Sequence, residues 1–150
     1  VFTVDVSCLA RRPLPEVFDF VADFRNAPGW QPQLHAVRLD DGPFPAGTRV
    51  VEIHHFLGRR VEAVGDLVQW EQGRGFTVQG RSALLKVTSR YRFAAQPDGT
   101  RVSLALTMDP RGPARLAEPV LRRQLRDSLT ASFVLLRQAL EGTRAVPPAG

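Results

Sequence analysis

GPARLAEPVLRRQLRDSLTASFVLLRQALE, residues Gly112–Glu141, decides the fold. Leu116, Val120, Leu121, Leu125, Leu129, Phe133, Leu136 and Leu140 recur there mostly at steps of four, which gathers them on one face of an α-helix. Glu118 and Arg122 stand at the i,i+4 spacing that supports such a helix. Pro119 falls inside the pattern, so the helix is either kinked there or begins properly there. Thirty helical residues would span about 45 Å. Gly142 is the expected stop, and 142–150 reads as a disordered tail behind a single domain of residues 1–141.

Working back from this helix, the preceding eighty or so residues alternate as strands do. Leu85, Val87, Ser89, Tyr91 and Phe93 interleave with Lys86, Thr88, Arg90 and Arg92, the period of two that a half-buried strand requires. Pro97-Asp98-Gly99 is a turn, and Val102, Leu104, Leu106 and Met108 line one face of the strand after it. Earlier strands are expected at Leu34–Asp40, Thr48–Phe56, Arg60–Trp70 and Phe76–Gly80, with loops at Asp41-Gly42-Pro43 and Pro45-Ala46-Gly47. Phe2, Val4, Val6 and Cys8 alternate in a first strand. Between it and the rest lies one short helix, Leu14–Phe24, opened by Pro13 and Pro15, striped by Val17, Phe18, Val21 and Phe24, and broken at Asn26-Ala27-Pro28-Gly29. One long helix after an antiparallel run predicts an α+β architecture in which a curved sheet wraps that helix. A sheet does not close fully against a single cylinder, so a cavity suited to an apolar molecule is expected.

Composition narrows the field. The chain has 150 residues, 43% of them hydrophobic and 23% charged, enough for one domain with a real core. No run approaches the roughly 18 apolar residues that cross a bilayer, and Val1–Ala10 reads as a strand, not a secretion signal. Cys8 is the sole cysteine, so no internal disulfide forms, in keeping with a cytoplasmic location. The net charge is +5, yet Lys86 is the only lysine among the twenty basic residues. Such an arginine bias points to base composition of the genome before phosphate contacts, and nucleic-acid binding is kept only as an alternative.

The hairpin of the third and fourth strands controls which polar groups reach a cavity. With Gly58-Arg59 as a two-residue turn, Phe56 pairs with Val61, His54 with Ala63, Glu52 with Gly65 and Val50 with Leu67. Paired residues share a face. This face carries mostly small and apolar residues and is taken as inward; the opposite face holds His55, Arg60, Glu62 and Asp66. Glu52 and His54 then lie side by side and are candidates for proton transfer, or else a solvated pair at the edge of the sheet. His54 and His55 point to opposite faces and cannot share a metal ion, and one cysteine with three histidines offers no zinc cluster. No metal and no cofactor is implied. Trp30 either gates the cavity or seals the first helical region against the sheet. Tyr91 needs a partner for its hydroxyl if buried, in a ligand or in a neighbouring backbone group or water. Cys8 is expected inward and inert. No Gly-x-Ser-x-Gly turn occurs, and Gly73-Arg74-Gly75 lacks the Lys-Ser/Thr of a phosphate loop.

Four stretches resemble the START-like (SRPBCC) superfamily of polyketide cyclase/dehydrase and lipid-transport proteins. They are Pro15-Glu16-Val17-Phe18-Asp19-Phe20-Val21-Ala22-Asp23 running to Trp30, Gly47-Thr48-Arg49-Val50, Pro97-Asp98-Gly99-Thr100-Arg101-Val102, and Gly112-Pro113 through Pro119-Val120-Leu121-Arg122-Arg123 to Leu140-Glu141. These are fold signatures, not catalytic ones. The resemblance implies a helix-grip fold, a curved seven-stranded antiparallel sheet around the C-terminal helix with short helical segments after strand 1. It also implies ligands such as lipids, isoprenoids or aromatic polyketides.

The expectation is therefore a binder of a small hydrophobic ligand, with oligomeric state left open. The expected ligand contacts are Trp30, His35, Val50, Glu52, His54, Phe56, Phe76, Val87, Tyr91, Phe93, Leu104, Met108, Leu129 and Phe133. Phe76, Phe93, Met108 and Phe133 are read first as core. One alternative is a cyclase or dehydratase in the same cavity, with Glu52 or His54 moving protons and Tyr91 stabilising an oxyanion. A second is a ribosome- or chaperone-interacting module using Arg111, Arg115, Arg122, Arg123 and Arg126 of the final helix, whose default role is a solvated face.

Overall fold

The computed structural model describes residues 1–32, 34–39, 49–56, 59–83 and 85–145, with the side chains of 35–39, 55–56, 59 and 143–145 also outside the described set. Alternation along the chain becomes strands β1 (Phe2–Ala10), β2 (Leu34–Leu39), β3 (Arg49–Phe56), β4 (Arg59–Glu71), β5 (Gly75–Arg81), β6 (Leu85–Gln96) and β7 (Gly99–Pro110). They form one antiparallel sheet in the order β1-β7-β6-β5-β4-β3-β2. Register shifts at Leu34/Ala36 in β2 and at Leu67/Gln69 in β4 mark bulges, which bend and twist a sheet locally. The loop expected at 41–47 and the Gly58 half of the expected turn lie outside the described residues. Between β6 and β7, Gly99 takes φ +151° and packs so tightly that a Cβ would overlap the Ala10 carbonyl oxygen.

Helix α1 (Leu14–Ala22) begins behind Pro13, with a proline in its first turn, where no N–H is needed. Its buried face is Val17, Phe18, Val21 and Ala22. Asn26–Gly29 does not simply break the chain: Phe24–Gly29 is a 3₁₀ helix, capped by Asp23, whose side chain accepts from the Arg25 backbone N–H.

The C-terminal stretch is not one helix from Gly112. Gly112–Ala117 is 3₁₀, and helix α2 runs Glu118–Ala145, about 42 Å at 1.5 Å per residue. Pro119 sits in its first turn, the position proline tolerates, so of the two readings the helix begins there. Leu116 and Val120 consequently miss the inward stripe, at 90% and 54% exposed. Leu121, Leu129, Phe133, Leu136 and Leu140 are buried. Gly142 is not the stop, because α2 continues to Ala145; a lone glycine costs a helix only about 1 kcal/mol. Residues 146–150 lie outside the described set.

α2 packs against β1 and runs the same way. The Arg122 guanidinium lies 5.2 Å from the Phe2 ring centroid at one end. At the other, the Arg11 backbone N–H donates to Glu141 Oε2 (2.9 Å) and Arg12 Nε donates to the Leu140 carbonyl (3.0 Å). Buried Thr100 donates to the Arg12 carbonyl (2.8 Å) and fixes that corner. Near α1 the space under the sheet is filled by an aromatic cluster. Phe18 meets Trp70, Phe76 and Phe93 edge-on at 5.2, 6.1 and 5.0 Å, and Phe76 stacks on Tyr91 at 4.7 Å.

Candidate functional site

Beyond that cluster a cavity of about 510 Å³ lies between the sheet and α2, within the range of small-molecule sites. Alternate residues of five strands form its floor: Val50, Glu52 and His54 of β3, Val61 and Ala63 of β4, Val78 and Gly80 of β5, Val87, Ser89 and Tyr91 of β6, and Leu104, Leu106 and Met108 of β7. Leu125, Ser128 and Leu129 of α2 form the roof, and Val21, Phe24, Ala27, Trp30 and Gln31 close one end. Arg81, Gln124 and Asp127 line it too and are exposed, so the cavity meets solvent beside them.

The β3–β4 register differs from expectation. Val50 stands opposite Gly65, Glu52 opposite Ala63, His54 opposite Val61 and Phe56 opposite Arg59. Pairing reaches Phe56 and Arg59, so Arg59 belongs to the strand and not to the turn. The difference is a slip of two residues along β4, and a slip of two leaves every side chain on its face. Glu52 and His54 thus line the cavity beside one another, Oε1 to Nε2 at 3.8 Å, each side chain 27% exposed. That separation is an ion-pair distance when His54 is protonated, and too long for a hydrogen bond.

Tyr91 is buried and lines the same cavity. Burial pushes its phenol well above the ordinary tyrosine range, and the nearby Glu52 charge adds to this. Its hydroxyl has no hydrogen-bond partner among the described residues. The group therefore stays protonated and remains a donor. Trp30 is 2% exposed, lies edge-on to Phe133 of α2 at 6.1 Å, and has an indole N–H without a partner among the described residues. It stands as a buried wall between the 3₁₀ segment and α2.

Of the expected contacts, Val50, Glu52, His54, Val87, Tyr91, Leu104, Met108, Leu129 and Trp30 meet around the cavity. Phe76, Phe93 and Phe133 do not line it. Phe76 and Phe93 pack with Phe18, and Phe133 packs on Trp30, because α1 and the 3₁₀ segment occupy that end of the grip. His35 and Phe56 lie on β2 and β3, and their side chains are outside the described set. Val61, Ala63, Val78, Gly80 and Ser128 are wall residues that sequence reasoning left unnamed as contacts; for the first two, the face shared with Glu52 and His54 was the available signal. Cys8 is half-buried with its thiol pushed up to about 11, chiefly by burial. Arg111, Arg115, Arg122, Arg123 and Arg126 are all exposed and none lines the cavity. Among the described residues, no three His, Cys, Asp or Glu side chains group to hold a metal ion, and no helix is long and apolar enough to cross a membrane.

Comparison with solved structures finds the same fold at low identity. An aromatase/cyclase, Zhui, from Streptomyces sp. R1128 is 13% identical with a TM-score of 0.81, covering 99% of this chain and 98% of that one. A START superfamily protein from Mycobacterium smegmatis is 14% identical with a TM-score of 0.80, over 94% and 98%. A protein of Thermus thermophilus is 14% identical with a TM-score of 0.79, over 95% and 99%. None of the curated proteins matches the chain. The family described as polyketide cyclase / dehydrase and lipid transport matches residues 1–141. With the helix-grip architecture shared with those solved structures, the chain belongs to that family.

Proposed function

We propose that this protein binds a small hydrophobic ligand bearing at least one oxygen, held between the concave face of the sheet and α2. One observation carries the reading: a cavity of about 510 Å³ whose walls are mainly apolar and whose polar groups include Glu52, His54 and the Tyr91 hydroxyl, which has no partner among the described residues. Apolar burial contributes about 25 cal/mol per Å² before the costs of binding. The polar groups set orientation, since each is left unpaired by a hydrocarbon alone. Native mass spectrometry of freshly purified protein tests this. A bound mass that is lost on denaturation supports the reading. An unliganded protein that also fails to take up any of a panel of lipids and aromatic ketones sinks it.

A second reading is favoured by the Glu52–His54 pair at 3.8 Å inside the cavity. Glu52 would take a proton from a carbon beside a carbonyl, His54 would relay it, and the Tyr91 O–H would donate to the resulting enolate oxygen. The likeness to an aromatase/cyclase supports this chemistry by fold alone. Glu52→Gln and His54→Ala separate the two readings. Cyclisation of a poly-β-ketone lost in both variants, with ligand uptake retained, favours catalysis; turnover unchanged in both removes it.

A further inference from the structure

Gly80 sits in the middle of β5, on the cavity floor. Nothing in the fold requires glycine there. Its φ lies outside the left-handed region, and a Cβ would meet only the Val64 and Val87 carbonyl oxygens, both at 3.9 Å, an ordinary contact. A strand interior disfavours glycine, and such a residue often marks where something approaches the backbone closely. Directly across the ladder stands a second glycine, Gly65 of β4, and the row continues to Val50 of β3 on one side and Val87 of β6 on the other. Neither strand carries a Cβ at this level, but over Gly65 the Val78 side chain fills the space, 3.0 Å from where a Cβ would stand, so the bare peptide between the β-branched walls of Val50 and Val87 is that of Gly80. Three strand spacings separate those walls, roughly 14 Å. Along the chain Gly80 is flanked by Val78 of β5 and by Ser82, just past the strand's end, and both also line the cavity.

We propose that Gly80 sets the ligand class: a flat, rigid, ring-bearing molecule lies face-on over the bare peptide there. A ring face gains contact with two peptide planes that any side chain would hold away. A flexible chain gains nothing from the missing side chains and can bend around an added one. The inference rests on the cavity being a ligand site, and it narrows what that site takes.

The test compares wild type with Gly80→Val, and Gly80→Ala as the smaller step, using two neutral probes: N-phenylnaphthylamine, read by fluorescence, and decanol, read by calorimetry. Both variants are expected to melt no lower than wild type, since valine and alanine fit the backbone there. N-phenylnaphthylamine should bind Gly80→Val roughly tenfold or more weakly, with Gly80→Ala between, while decanol changes by less than about threefold. Equal losses for both probes, or no loss for either, overturn the role of Gly80 and leave the cavity reading standing. Failure of both probes to bind wild type overturns the cavity reading and the inference with it.

Discussion

Removing the Tyr91 hydroxyl should move stability and binding in opposite directions. In the unliganded protein the phenol is buried against Phe76, with no hydrogen-bond partner among the described residues. Tyr91→Phe keeps the stacked ring and removes only a hydroxyl that faces the cavity. Unfolding free energy by urea titration should stay level or rise by up to about 1 kcal/mol. With an oxygen-bearing ligand the same change deletes a hydrogen bond of about 1 kcal/mol, a loss of roughly fivefold in affinity. If the accepting oxygen carries charge, the loss rises to about 1.5–3 kcal/mol, on the order of tenfold to a hundredfold. Calorimetric titration of the co-purified ligand into both proteins gives the affinity ratio. A stability loss above about 1 kcal/mol without ligand would mean that the hydroxyl is bonded inside the protein. An unchanged affinity would mean that it never meets the ligand.

Tyr91 is the only tyrosine, so ultraviolet titration reads it alone. Its pKa is raised by burial and then by Glu52, so the folded state holds the proton longer than the unfolded chain. The resulting stability is complete below the unfolded value of about 10 and is lost as pH climbs toward the raised one. Phenolate absorbance should therefore appear only with unfolding, and an early, reversible transition near 10 in folded protein contradicts the burial. Phe18→Ala should cost about 3–5 kcal/mol in urea unfolding, because the ring is 1% exposed and meets three other aromatics. Leu116→Ser should change stability by less than about 0.5 kcal/mol, since the side chain lies outside the grip; a loss of 2 kcal/mol or so would restore it to the buried stripe. Cys8, with its thiol pushed up to about 11, should react with a disulfide reagent at neutral pH far more slowly in folded than in unfolded protein, and equal rates refute its burial.

The architecture was legible because each element carried its own period. The step-of-four leucines of α2 and the alternation of β6 leave little choice of partner face, and Pro119 marked the helix start as one of two options. Leu116 misled because it fits the helical stripe by spacing while its backbone is 3₁₀ and leaves it exposed; Val120 is in α2 but faces outward, the buried stripe starting at its neighbour Leu121. Glu52 and His54 could be placed on one face because strand parity survives a slip of two. The slip itself was invisible, since nothing in Phe56–Arg60 states which two residues turn. The aromatic residues were harder. Phe76, Phe93 and Tyr91 have the same inward parity, and only the three-dimensional position of α1 decides that the first two pack on Phe18 while Tyr91 meets the cavity. The cavity's position depends on how α2, five strands and the 3₁₀ segment come together, a property of the whole packing and of no local motif.

Amide chemical-shift mapping on isotope-labelled protein, titrated with the co-purified ligand, addresses the central claim most directly. Perturbations should concentrate at Glu52, Ala63, Gly80, Tyr91 and Leu129, which meet only around the cavity. Shifts confined to the outward faces of β6 and β7, or to the arginine-bearing side of α2, would contradict a ligand held between sheet and helix.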